Sequence, residues 1–244
     1  LILTIVRLRD RMREESPQLP WVRVGGAGGI GTPESAAAAC LLGAEYIVTG
    51  SINQCTVESG ASDVVKDLLQ DINVQDTDYA PAGDMFELGS RVQVLRRGVF
   101  FPARANKLYS LYRQFDSWEA IDVDTRHQLE RRYFRRSFDD IWDEVKSWGS
   151  TNCGEAPTDR QKMLAIFKWY FAHSTQLALA GDKTQVVDFQ VHCGPALGAF
   201  NQWVKGTEFE NWRNRHVDDI GIKLMTEMGR LLDSRARGIA DFAS

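Results

Sequence analysis

The sequence predicts an α/β fold, with strand–helix units over residues 1–80 and a mainly helical region over residues 81–244. Three observations predict it. In the first eighty residues the apolar positions switch between helical and strand spacing, in the order helix, strand, helix, strand, helix. Two glycine turns, "VGGAGGIG" and "TGS", each follow a short apolar run. Beyond about Ala80 this punctuation gives way to stretches rich in aromatics and arginine. The alternation implies parallel strands joined by right-handed crossovers, so the loops after the two strands lie side by side at one sheet edge.

The first element is "LILTIVRLRDRMREES", where Leu1, Ile5, Leu8 and Met12 recur at helical spacing opposite arginine and glutamate. No Ser, Thr, Asp or Asn caps it, which predicts a helix taken from a longer polypeptide. "SPQLP" breaks the pattern, and "WVRVGG" reads as a short buried strand through Val22 and Val24. Thr32-Pro33-Glu34 then starts a helix, with Thr32 as cap, Pro33 at the first position and Glu34 at the positive end. It runs to Leu42 and stops at Gly43. "AEYIVTG" is the second strand, and a helix capped by Ser62 or Asp63 extends to Leu69. "RRGVFFPARANKLYSLYRQFDSWEAI" and "VDTRHQLERRYFRRSFDDIWDEVKSW" read as helices, and "STNCGEAP" as a polar break. Thr158 with Gln161 predicts a capping box for a helix through Trp169 to about Ala180. "GDKT" is a turn, and the tail from Asn201 to Phe242 is mostly helical.

Composition narrows the function classes. At 43% hydrophobic and 25% charged, the chain can bury a core. A net charge of -4 gives no global attraction to nucleic acid, and no run is long and apolar enough to span a bilayer. Cys40, Cys55, Cys153 and Cys193 are scattered without a CxxC pair. Free thiols in a cytoplasmic setting are therefore expected, and a zinc site is not.

The glycine turns carry the chemistry. Glycine takes positive φ and lets a ligand approach the backbone, and consecutive amides in such a loop form an anion nest. Gly28, Gly29 and Ile30 sit just before the helix capped by Thr32. Gly50 and Ser51 occupy the equivalent place one strand later, with a hydroxyl donor added. Two adjacent loops thus converge on one point, and the simplest ligand for it is a phosphate. The bland alternative is two tight turns with no ligand. In (β/α)8 barrels the loops after the last two strands often hold a phosphate, and this pattern fits that pair. It is not a dinucleotide fingerprint, because Glu45 precedes its strand instead of ending it.

At these residues the sequence resembles a known family. "GGAGGIGTPESAAAACLLGAEYIVTGSINQCTVESG", "YAPAGDMFELGSRVQVLRRGVFFPARANKLYSLY" and "HCGPALGAFNQWVKG" are similar to the C-terminal half of the PfaD-type, trans-acting enoyl reductases of polyketide and polyunsaturated fatty acid synthases. The resemblance covers nearly the whole chain. It implies the C-terminal part of a TIM (β/α)8 barrel over residues 1–80, helix six to helix eight, carrying FMN. Residues 81–244 would be a mainly helical substrate- and carrier-protein-binding region with the C-terminal helices. The implied reaction is reduction of the 2,3 double bond of an enoyl thioester on an acyl carrier protein, with NADPH or NADH as reductant. The implied cofactor-binding residues are Gly26, Gly28, Gly29, Ile30, Gly50 and Ser51; Arg104, Leu108 and Tyr112 would border the acyl chain.

The family's Gly-Gly-His-Thr-Asp stretch does not occur here, and none of His127, His173, His192 and His216 has its context. The catalytic histidine is therefore expected upstream of Leu1, and the N-terminal barrel half, on the same or a second polypeptide or in a homodimer, is the expected partner. Two alternatives remain: a nitronate monooxygenase-like flavoenzyme, and a non-catalytic phosphate- and carrier-binding fragment.

Four further features have ordinary structural readings. Arg126, Arg131, Arg132, Arg135 and Arg136 offer a basic face for an acidic carrier protein, or a solvated helix balanced by "DDIWDE". His192 and Cys193 suggest a base and a nucleophile, but neighbours on a strand face opposite ways. Asn201 and Trp203 would cap and pack the helix that follows. Asp84 and Glu87 read as charges at a helix N-terminus before any acid–base pair.

Overall fold

The computed structural model describes residues 1–146 and 157–243. In chain order its elements are α1 (Ile2–Glu15), β1 (Gly25–Ala27), α2 (Pro33–Leu41), β2 (Tyr46–Val48), α3 (Asp63–Gln70), β3 (Thr77–Pro81), β4 (Arg91–Leu95), α4 (Phe101–Gln114), α5 (Val123–Leu129), α6 (Phe138–Val145), α7 (Asp159–Ala180), α8 (Pro195–Trp203) and α9 (Val217–Ala243). The described residues are mainly helical, with short strands in two two-stranded sheets. Cys153 and most of "STNCGEAP" lie outside the described residues; Cys40 and Cys193 are free thiols. Among the described residues, no helix is long and apolar enough to cross a membrane. The chain divides into two compact units: Leu1–Ala61 with Leu69–Gln75 and Gly194–Ser244, and Ser62–Leu68 with Asp76–Cys193.

In the first unit β1 and β2 pair in parallel, with Gly25 opposite Tyr46, Gly26 opposite Ile47 and Ala27 opposite Val48. The first strand falls later than its apolar run suggests. Val24 is buried, and its carbonyl accepts from Glu45 N at 2.8 Å, but Val22 is 59% exposed. Trp21 is drawn away by local partners. Its ring lies 4.0 Å under the Arg9 guanidinium, and its Nε1 donates to Glu45 Oε2 at 2.9 Å.

The start of α2 is as expected. Thr32 Oγ1 accepts from Ser35 N, and Ser35 Oγ accepts from Thr32 N, a reciprocal capping box behind Pro33. Gly43, at φ 98°, follows its end. Ala36, Ala37 and Ala39 form a small-residue face that packs with Ile30, Leu224 and Met228, so α2 and α9 approach closely.

In the second unit β3 and β4 form an antiparallel hairpin, with Thr77 opposite Leu95 and Pro81 opposite Arg91. Val94 also bridges to His192, and Leu95 N donates to Val191 O at 2.8 Å. Asp84 and Glu87 therefore lie in a hairpin loop and not at a helix N-terminus. Asp84 Oδ1 accepts from Met85 N, and Glu87 pairs with Lys168 Nζ at 2.8 Å.

The two long helices expected between Arg96 and Trp148 are shorter and broken. Only Phe101–Gln114 of the first is helical. In the second, α5 runs into a π-helical turn at Glu130–Phe134 and ends at Arg135 in the left-handed region, φ 55°. Ser137 then caps α6 by accepting from Asp140 N. The core behind these helices is aromatic: Phe86, Phe101, Phe134, Phe138, Phe167 and Tyr170 are all essentially fully buried. The Thr158–Gln161 capping box opens α7 as the spacing predicts, and Gly181 closes it at φ 66°.

Candidate functional site: two glycine loops and the first turn of α8

Gly28 and Gly29 hold consecutive positive φ values, 86° and 74°, a conformation that strains other residues. A Cβ at either position, or at Gly50, would meet no atom within 4 Å. These backbones border open space. Gly26 differs: its Cβ position lies 3.1 Å from Ala39 Cβ and from Ile2 Cδ1, so it is bare for packing within β1. Ile30 is 6% exposed, with its side chain in the α2–α9 core, and only its backbone is left for a ligand.

Ser51 opens a 3₁₀ turn, Ser51–Cys55, directly after Gly50. Its Oγ accepts from Gly194 N at 2.7 Å, which leaves the hydroxyl proton to donate elsewhere. Gly194 is the residue before α8, and a Cβ on Gly31 would overlap the carbonyl oxygen of Ala196 in the same turn. Both loops therefore reach one place, the first turn of α8. That is the convergence parallel strands require, with a third segment, from "HCGPALGAFNQWVKG", to which the sequence assigned no part in this site. Left-handed glycines, a hydroxyl proton and the N-terminus of α2 together suit an anion.

The substrate-side candidates belong to the second unit. Leu108 is fully buried and Tyr112 is 6% exposed, both within the aromatic core of the second unit. Arg104 is paired with Asp188, a carboxylate that is 1% exposed. Asp188 also accepts from Arg135 Nη2 at 3.1 Å and from Tyr170 OH at 2.9 Å. Burial beside this carboxylate pushes the Tyr170 hydroxyl far above its ordinary range, so it remains a donor. No motif pointed to Asp188; its three partners come from α4, α7 and the turn before α6.

His192 and Cys193 do face opposite ways, one exposed and the other 3% exposed. Burial pushes the Cys193 thiol up to about 12, so it is protonated at neutral pH and no nucleophile. The His192 ring lies 3.0 Å from the side-chain amide of Gln190. Arg136 pairs with Glu144 of "DDIWDE", the balanced-surface arrangement. Asn201 lies within α8 and does not cap a following helix; its Nδ2 donates to Leu69 O, in the last turn of α3, and to Ile72 O.

His173 stacks on Trp169, with ring centroids 4.5 Å apart. Burial pushes its pKa below the ordinary value; Arg135 and Arg136 act the same way, and Asp188 and Glu144 oppose them. A depressed folded-state pKa contributes stability above the unfolded value of about 6.5 that is lost as pH falls through the folded value. Denaturant midpoints should therefore fall as the pH is lowered from neutral through about 6.5, and His173→Gln should flatten part of that slope. An unchanged slope in the variant would remove His173 from the account.

Over 241 residues the chain is 56% identical to the polyketide biosynthesis protein PksE of Bacillus subtilis, covering 98% of this chain and 31% of PksE. It is 58% identical to the polyketide biosynthesis protein ThaF of Burkholderia thailandensis, over 88% of this chain and 19% of ThaF. The enoyl reductase domain of MlnA, from the macrolactin cluster of Bacillus amyloliquefaciens, superposes with a TM-score of 0.94 at 50% identity, covering 98% of this chain and 55% of that one. The chain is homologous to polyketide-biosynthesis proteins and to an enoyl reductase domain. This fits an enoyl-reductase-like family of polyketide synthases. The chain spans under a third of the two curated relatives and about half of the MlnA chain. Residues 115–189 separately match the inserted helical domain of [acyl-carrier-protein] S-malonyltransferases.

Proposed function

We propose that this chain forms the phosphate-binding part and the helical part of an FMN-dependent enoyl reductase. The enzyme acts in trans on enoyl thioesters carried by an acyl carrier protein in polyketide biosynthesis. The observation that carries the reading is the likeness to the MlnA enoyl reductase domain along 98% of the chain. The glycine cradle fits the cofactor: open space above Gly28, Gly29 and Gly50, and a Ser51 proton free to donate. Gly28, Gly29, Ile30, Gly50 and Ser51 would hold the flavin phosphate, and Gly26 would let β1 pack close beneath them. Bound there, FMN would supply the hydride chemistry, with NADPH as reductant.

The chain's own residues fix the anion and exclude bulk from the glycine backbones. On this reading the first unit is part of a (β/α)8 barrel. Ile5, Leu8, Met12 and Trp21 are 39–49% exposed around an open apolar groove, the kind of face that further barrel strands and helices cover. The helical unit, with its malonyltransferase-like segment, serves the carrier-bound substrate. Arg104, Leu108 and Tyr112 act there by holding the core behind the acyl chain.

The test supplies the full polypeptide with NADPH and a crotonyl thioester on a carrier protein. The expected product is the saturated thioester. Oxidation of nitroalkanes without enoyl reduction would overturn the reading in favour of a nitronate monooxygenase.

A further inference from the structure

The two glycine loops do not hold their geometry alone. Ser51 is aimed by a hydrogen bond from Gly194 N, and Gly194 belongs to the approach to α8, far along the chain. The seat of α8 is in turn fixed by two bare backbones. Gly31 lies against Ala196 O, where any side chain would overlap a backbone atom. Gly198 lies against the backbone of Asn73 and Val74 in the same way. Asn201, one turn on, donates to Leu69 O and Ile72 O at 2.9 and 3.0 Å, tying the helix to that same segment. Leu197 and Phe200 are buried on the helix between these clamps.

From this we infer that α8 is a positioning device for the phosphate site, with Gly31 and Asn201 as positioning residues that act through Ser51 without touching the ligand. A serine hydroxyl can both accept and donate. Occupying its acceptor side with Gly194 N commits its proton to the anion. Gly31, adjacent to the phosphate-binding glycines, would on this account be bare for α8 and not for the ligand. The inference rests on the flavin-phosphate reading.

The test measures the FMN dissociation constant of the full polypeptide by quenching of flavin fluorescence, independently of turnover. Ser51→Ala should weaken binding about 10- to 100-fold, as expected for losing a hydrogen bond to a charged group. Gly31→Ala should weaken it by a similar factor. In the Gly31→Ala background, Ser51→Ala should cost little more, because the hydroxyl is already misdirected. Ser51→Thr should restore affinity to near the Ser51 value only when Gly31 is intact. Should Gly31→Ala not fold, Asn201→Ala loosens α8 from its far side and should show the same non-additivity with Ser51→Ala. Full additivity, or unchanged affinity in both Gly31→Ala and Asn201→Ala, would overturn the inference. Absence of FMN binding by the unaltered protein would instead overturn the phosphate reading on which it stands.

Discussion

Replacing Asp188 by alanine is expected to destabilise the helical unit by about 3–5 kcal/mol, the cost of breaking a buried ion pair from one side. The carboxylate is 1% exposed and accepts from Arg104, Arg135 and Tyr170 together. Its removal leaves the half-buried Arg104 guanidinium and the Tyr170 hydroxyl without their shared carboxylate acceptor. It also releases Arg135, which that contact helps to hold in the left-handed region. Tyr170→Phe removes one of the three bonds and should cost about 1 kcal/mol. Urea unfolding of both variants, followed by tryptophan fluorescence, measures this. A loss below about 1 kcal/mol for Asp188→Ala would mean that the cluster is ornamental to the fold.

A carboxylate at residue 51 is expected to abolish cofactor binding while sparing the fold. Aspartate can still accept from Gly194 N and suits the start of a helical turn, so Ser51→Asp preserves the local structure. It also places a negative charge where the proposed flavin phosphate would be held. Two like charges about 4 Å apart at a protein surface repel by about 4 kcal/mol, which predicts a loss of about 100-fold or more in FMN affinity. Flavin content after purification and an unfolding midpoint answer both halves. Retained flavin in a folded Ser51→Asp protein would move the phosphate away from this loop.

The sequence made the first unit largely readable because its signals are local. Thr32-Pro33, the alanine run and Gly43 each act within a few residues, and the structure places them accordingly. The convergence of the loops after β1 and β2 followed from parallel pairing alone. What was hidden depends on contacts across long separations. Gly194 reaches Ser51 across 143 residues, and its stretch "HCGPALGAFNQWVKG" carries no signal of a phosphate site. Gly31 looked like one more loop glycine until α8 was seen against it.

In the helical unit, the β3–β4 hairpin was missed because its strands contain Asp78 and Pro81 and its long loop carries Met85, Phe86 and Leu88 instead of a short turn signal. By spacing alone Leu108 and Tyr112 belong to a packed amphipathic helix, and both are buried in the core; a place beside an acyl chain is implied only by the family resemblance. Asp188 was illegible because a lone aspartate becomes a structural anchor only when Arg104, Arg135 and Tyr170 fold around it.

The most direct test of the central claim is an anaerobic titration of the full polypeptide, following flavin absorbance. The account predicts a bound flavin that is bleached by NADPH and recovers its absorbance on addition of a carrier-bound enoyl thioester, with the saturated thioester formed in equal amount. A protein without flavin, or a reduced flavin that the enoyl thioester leaves reduced, would contradict it.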